Sequence, residues 1–139
     1  MRKNSVPTVL RSASFLINPF NSKIMKNIKV IEWVLRISVF GTFFGHGVFA
    51  LQGKEKWVQW IMNFGGWDAG LATQLLFAVG LLDVLVAFIV LFRPVRIVLL
   101  WAVLWTTWTT VMHVMPFVGD PIWDTVERFA NVGAPLSLL

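Results

Sequence analysis

The chain has 139 residues, of which 57% are hydrophobic and 14% charged, against roughly 25% charged residues in a typical soluble domain. A soluble domain of this size needs more polar side chains to cover its surface, whereas a bilayer lets apolar residues face lipid. The lack of cysteine excludes disulfides, CxxC redox relays, thiolate nucleophiles and thiolate metal ligands, and the formal charge of +5 matters chiefly through its placement.

Residues 1–27 carry Arg2, Lys3, Arg11, Lys23 and Lys26 and no acidic residue. This bias is shared by organellar transit peptides. It suits equally a disordered basic tail, or an upstream start ahead of a working start at Met25. The segment is read as disordered and outside the fold. From 28 to 51 runs the first apolar stretch long enough to cross the ~30 Å hydrocarbon layer. A polar break at Gln52–Lys56 follows, and then WVQWIMNFGGW. That stretch is too short to span and rich in Trp, so it reads as a loop plus an interfacial segment, because indole rings favour the headgroup boundary.

The second span covers about 71–92 with one charge, Asp83. Arg93, Pro94 and Arg96 make a tight turn, and the third span covers about 95–115. PFVGDP makes the next loop, and a fourth apolar helix starts near Thr125. The 125–139 stretch gives only about 21 Å at 1.5 Å per residue. The fourth helix is therefore read as incomplete in this sequence, cut short at its C-terminus, or ending inside the membrane.

The fold class is accordingly an all-α integral membrane protein, a four-helix transmembrane bundle over 28–139. Lys and Arg before the first span and at Arg93 and Arg96 set the N-terminus on the cytoplasmic side, and Asp120 and Asp124 mark the loop at 116–124 as outer. The predicted setting is a multi-pass protein of the bacterial inner membrane.

An ionisable residue in a span costs roughly 2.5–3.5 kcal/mol on insertion scales, so each needs a partner or a role. At 100° per residue, Glu32, Arg36 and His46 share one face of the first span. Gly41 and Gly45 form a small-xxx-small pair on nearly the opposite side. Asp83 and Arg36 lie at matched depths of roughly 13 and 12 Å from the cytoplasmic end, which predicts a buried Arg36–Asp83 ion pair. Gly80 and Ala87 flank Asp83 on its side of the helix and admit a close neighbour. In the third span Trp101, Trp105, Trp108, Met112 and Met115 form a stripe that reads as packing or lipid contact. Thr106, Thr109, Thr110 and His113 gather on another side.

By depth, His46, His113, Glu127, Arg128 and Asn131 all fall toward the outer surface and form the candidate polar pocket. It reads either as a hydrogen-bonded cap sealing the bundle or as a binding site for a small molecule such as a quinone headgroup. A two-His-one-carboxylate metal site drawn from His46, His113 and Glu127 would take one ligand from each of three helices. No HxxxH or HxxE spacing supports it, so no metal is expected, and no haem-type pair of facing histidines occurs.

These residues carry a resemblance. From about Val34 to Leu138 the chain resembles the DoxX-like family of small four-helix membrane proteins. The resembling features are GHG at 45–47, LLFAVGLLDVLVAFIVLFRP at 75–94, WTTWTT at 105–110 and ERFANVGAPLSLL at 127–139. The resemblance implies a four-helix membrane bundle, with His46, Asp83, Glu127, Arg128 and Asn131 as the polar positions of interest. Some relatives are membrane subunits of quinone-reducing sulfur oxidoreductases, and many have no assigned activity.

The expected function is an accessory or anchor subunit of a membrane, quinone-type oxidoreductase. The alternatives are a stand-alone membrane enzyme or transporter, and a structural or assembly protein without catalysis. Expected partners are the lipid bilayer, an oxidoreductase subunit and a second copy of the chain, with no nucleic acid.

Overall fold

The computed structural model describes residues 8–116 and 118–139, with side chains from position 24 onward. The described residues are helical, without strands: α1 (Thr8–Leu51), α2 (Glu55–Gly65), α3 (Ala69–Phe92), α4 (Arg96–Met112) and α5 (Ile122–Ser137). The chain divides into two compact units, Met1–Val34 and Leu35–Leu139.

In the first unit the helix begins at Thr8, so residues 8–27 are helical rather than the predicted disordered tail, while residues 1–7 of that tail lie outside the described residues. Between Thr8 and Gly41 only Pro19 is a helix-breaking residue type. Ile28, Val30, Ile31 and Trp33 are exposed.

The second unit departs from the sequence reading at one element. The segment after the first span, expected as a loop plus an interfacial segment, forms an 11-residue helix, α2. Gly53 and Gly66, both with positive φ, bracket it. These are backbone conformations that cost a side-chain-bearing residue about 1 kcal/mol or more. Gly66 closes α2 by donating its N–H to the Met62 carbonyl, and Asp68 opens α3 by accepting the Leu71 N–H at 3.0 Å. The other expected boundaries hold to within a few residues, α5 beginning three positions before Thr125.

α4 packs against α3 and α5, and α2 packs against α3. The core joins Val39 and Phe43 of α1, Val86, Ala87 and Val90 of α3, and Leu99 and Ala102 of α4, with Ala134 and Leu138 of α5 against it. α1 and α3 meet most closely where two glycines face each other. A Cβ on Gly47 would stand 3.0 Å from the Gly80 carbonyl oxygen, and one on Gly80 would stand 3.0 Å from that of Gly47. The predicted small-residue pair Gly41 and Gly45 is not that seam, since nothing lies within 4 Å of a Cβ at either. The expectation for Gly80 and Ala87 holds: both are buried.

Two stretches, Ile24–Leu51 and Ala69–Phe92, are long and apolar enough to cross a membrane. At 24 residues α3 is about 36 Å long. It is apolar on every side, yet only 33% of its most apolar window is buried. Phe77, Leu81, Leu85, Phe88 and Phe92 stand exposed along it, and Ile97, Leu100, Leu104 and Val111 do so along α4. A helix that is hydrophobic all round belongs in the interior of a large protein or in a bilayer.

Candidate functional site

Beside the Gly47–Gly80 seam, aromatic side chains from α2 and α4 surround a cavity of about 230 Å³. α2 supplies one wall. Trp57, Trp60, Ile61 and Phe64 all line the cavity, at the i, i+3, i+4, i+7 spacing of a single helical face. They reach across to the other helices. Trp57 meets His46 edge-on at 5.7 Å, Trp60 meets His113 at 5.2 Å, and Phe64 meets Trp108 at 6.0 Å between ring centroids. From α4, Trp105, Trp108 and Met112 also line the cavity. Part of the predicted packing stripe therefore faces a void, while Trp101 stacks on Trp105 from outside the lining. Thr106 and Thr109 donate their hydroxyls to carbonyls of their own helix, at 2.7 Å to Ala102 and 3.1 Å to Thr106. Their donors are thus spent, and they present mainly their carbon atoms and lone pairs to the cavity.

Against this aromatic lining stand a few polar groups. His46 projects from α1, next in sequence to the close-packed Gly47, and no hydrogen bond from the described residues holds its ring. His113, at the end of α4, is buried and its Nδ1–H donates to the Thr109 carbonyl at 2.7 Å. That bond fixes the tautomer, because a carbonyl can only accept. The other nitrogen, Nε2, is buried without a hydrogen bond and lies 3.6 Å from Asp120 Oδ2. Arg128 of α5 lines the same cavity and is close enough for its charge to act on both histidines. Its Nε is buried without a hydrogen-bond partner.

The predicted polar set is thus brought together in part. His46, His113 and Arg128 converge on one cavity. Glu127 is exposed and Asn131 is half-buried, and neither lines it. Neighbours in a helix point about 100° apart, so Glu127 and Arg128 cannot both face inward. Among the described residues no group of three His, Asp or Glu side chains is placed to hold a metal ion.

Asp83 takes a different place from the one expected. It is buried in the cavity lining together with Trp105, and no ion pair joins it to Arg36 among the described residues. Asp83 Oδ1 is left buried without a partner. Arg36 has other interactions and does not line the cavity. Matched depth along two helices does not fix rotation about them, and rotation decides whether two residues meet.

Sequence reasoning missed α2 and the pair that ties it down. Lys56 Nζ forms an ion pair with Asp120 in the loop before α5, an interaction 64 positions apart in sequence. Lys56 is half exposed, but Asp120 is only 5% exposed. The same ammonium lies 5.3 Å from the centre of the Trp60 ring, and Lys54 caps Trp57 at 4.6 Å. The 57/60/61/64 spacing was a legible signal for the α2 face. Nothing local in the sequence announces the Lys56–Asp120 contact.

No family model, curated protein or solved structure matches this chain.

Proposed function

We propose that this chain is a membrane-embedded helical bundle that seats the ring of a small apolar molecule, of the quinone kind, under α2. In this reading α1, α3, α4 and α5 are the four membrane helices. The N-terminus and the Arg93–Arg96 turn lie on the cytoplasmic side, and the cavity opens at the outer end. The exposed apolar length of α3 supports the bilayer setting, since water would have to cover Phe77, Leu81, Leu85, Phe88 and Phe92.

The observation that carries the ligand reading is the cavity itself. At about 230 Å³ it is smaller than the roughly 300–1,000 Å³ of drug-sized sites, and so it suits one or two fused rings rather than a large substrate. Its walls are flat indoles and phenyls suited to stacking against a ring, with His46 available to a carbonyl or hydroxyl and His113 Nε2 to a hydroxyl donor. Their depth near the helix ends, among tryptophans, is where a membrane quinone carries its headgroup. The resemblance to DoxX-like proteins points the same way. It extends the proposal to an accessory subunit that gives a membrane oxidoreductase its quinone or its seat in the bilayer.

Purification in mild detergent, followed by lipid extraction, tests this. The expected result is a ring-bearing amphiphile near one equivalent per chain, together with a stoichiometric redox subunit. A chain that purifies alone, with a lipid extract free of any such compound, contradicts the proposal.

A further inference from the structure

Arg128 brings to the cavity a cation that no carboxylate pairs with among the described residues. Its Nε is buried with no acceptor. Asp120 holds Lys56 and faces His113, Asp83 and Asp124 form no ion pair with Arg128 among the described residues although Asp124 stands one turn before it on α5, and Glu127 is exposed. A guanidinium half-withdrawn from water in an aromatic cavity is a strong recruiter of a planar acceptor, because charge-assisted and bidentate contacts are the strong ones and lose little to solvent there. Of the two histidines His46 adds to this, because no hydrogen bond among the described residues holds its ring and it can turn an N–H toward the same acceptor, whereas His113 Nε2 bears a lone pair beside Asp120.

Resting on the cavity reading above, we infer that the ligand is an apolar ring compound that carries a negative charge, a ring enolate or carboxylate. Its anionic oxygen sits on Arg128, and its ring lies between the α2 and α4 aromatics. A neutral quinone would offer the guanidinium a carbonyl oxygen but leave its charge without a counter-charge. The anion supplies that counter-charge, and the low-dielectric walls strengthen the contact.

The test uses two probes of nearly one shape on the intact, detergent-solubilised protein. 2-Hydroxy-1,4-naphthoquinone is ionised at neutral pH, and 2-methoxy-1,4-naphthoquinone is neutral. Both are followed by quenching of tryptophan emission. The ionised probe is expected to bind at least about tenfold more tightly, the order expected from a hydrogen bond to a charged group. Arg128→Gln should bring the two affinities together, and Arg128→Lys should keep part of the difference. Equal affinities on the unaltered protein overturn the inference while leaving the cavity reading intact, as does a preference that survives in Arg128→Gln. Failure of both probes to quench saturably overturns the cavity reading and the inference with it.

Discussion

The same stretches of α1 and α3 behave differently on two of their sides. From Val39 to Gly47 on α1, and from Gly80 to Val90 on α3, small and branched residues let the helices close until backbone oxygens limit the approach. At the same level, on the side facing α2, His46 meets Trp57 and His113 meets Trp60 edge to face, and with Trp105 and Trp108 they surround a void. The contrast lies in side-chain shape rather than in polarity alone. Glycine and valine fill the space between two helices completely, whereas flat rings in T-shaped contact surround an empty slot. One side provides the tight packing, and the other provides room for a guest.

The most damaging change should fall on the tight side. Gly80→Val puts carbon against the Leu51 backbone nitrogen and the Gly47 carbonyl. Neither atom can give way without moving a helix, so a loss of about 3 kcal/mol is expected, read as a fall in the thermal midpoint in detergent. Gly41→Ala, where a Cβ meets nothing within 4 Å, should be neutral or slightly stabilising. If the two variants behave alike, the seam has been misplaced.

The next effect in size belongs to Asp83. Asp83 is a buried carboxyl with one oxygen left without a partner, so Asp83→Leu should be neutral or stabilise by up to about 1–3 kcal/mol, while Asp83→Asn, which keeps a polar group there, should change stability less. In a double-mutant cycle, Asp83→Asn and Arg36→Gln should couple by under about 0.5 kcal/mol. A larger coupling would restore the ion pair expected from sequence.

A weaker effect is expected at the roof of the cavity. Lys56→Ala removes a half-exposed ion pair worth roughly 0–1 kcal/mol. The midpoint should therefore hardly move, while acrylamide quenching of tryptophan emission rises as α2 loosens. No rise in quenching would mean that the aromatic contacts alone hold α2. Smallest of all, Glu127→Gln should leave both stability and probe affinity unchanged, because Glu127 faces outward. A lowered affinity there would mean that the α5 face is rotated from its described position.

Much of this was legible in the sequence, and the failures have physical causes. The apolar runs match α3 and α4 to within three residues, because length and hydropathy report an apolar helix directly, although only α3 of the two is long enough to cross a membrane. Depth arithmetic brought His46, His113 and Arg128 to one level. It could not separate Arg128 from its neighbour Glu127, since depth does not record which way a residue faces. It paired Asp83 with Arg36 for the same reason. The GHG motif drew attention to three residues but not to which glycine is packed: Gly47 lies on the seam and Gly45 does not. α2 was passed over because 11 residues cannot span a bilayer, although its Trp57, Trp60, Ile61 and Phe64 spacing is that of a helix with one buried face. The Lys56–Asp120 tie depends on tertiary placement and leaves no local trace.

The central claim is that a small ring enters the aromatic side of this bundle rather than coating its greasy exterior. Photo-crosslinking with an azido-naphthoquinone, followed by peptide mapping, tests it most directly. The account predicts saturable adducts on the Glu55–Gly65 helix and around His46 and Trp105, displaced by excess unlabelled 2-methoxy-1,4-naphthoquinone. Adducts spread instead along Phe77, Leu85 and Phe92, undiminished by the competitor, would contradict it.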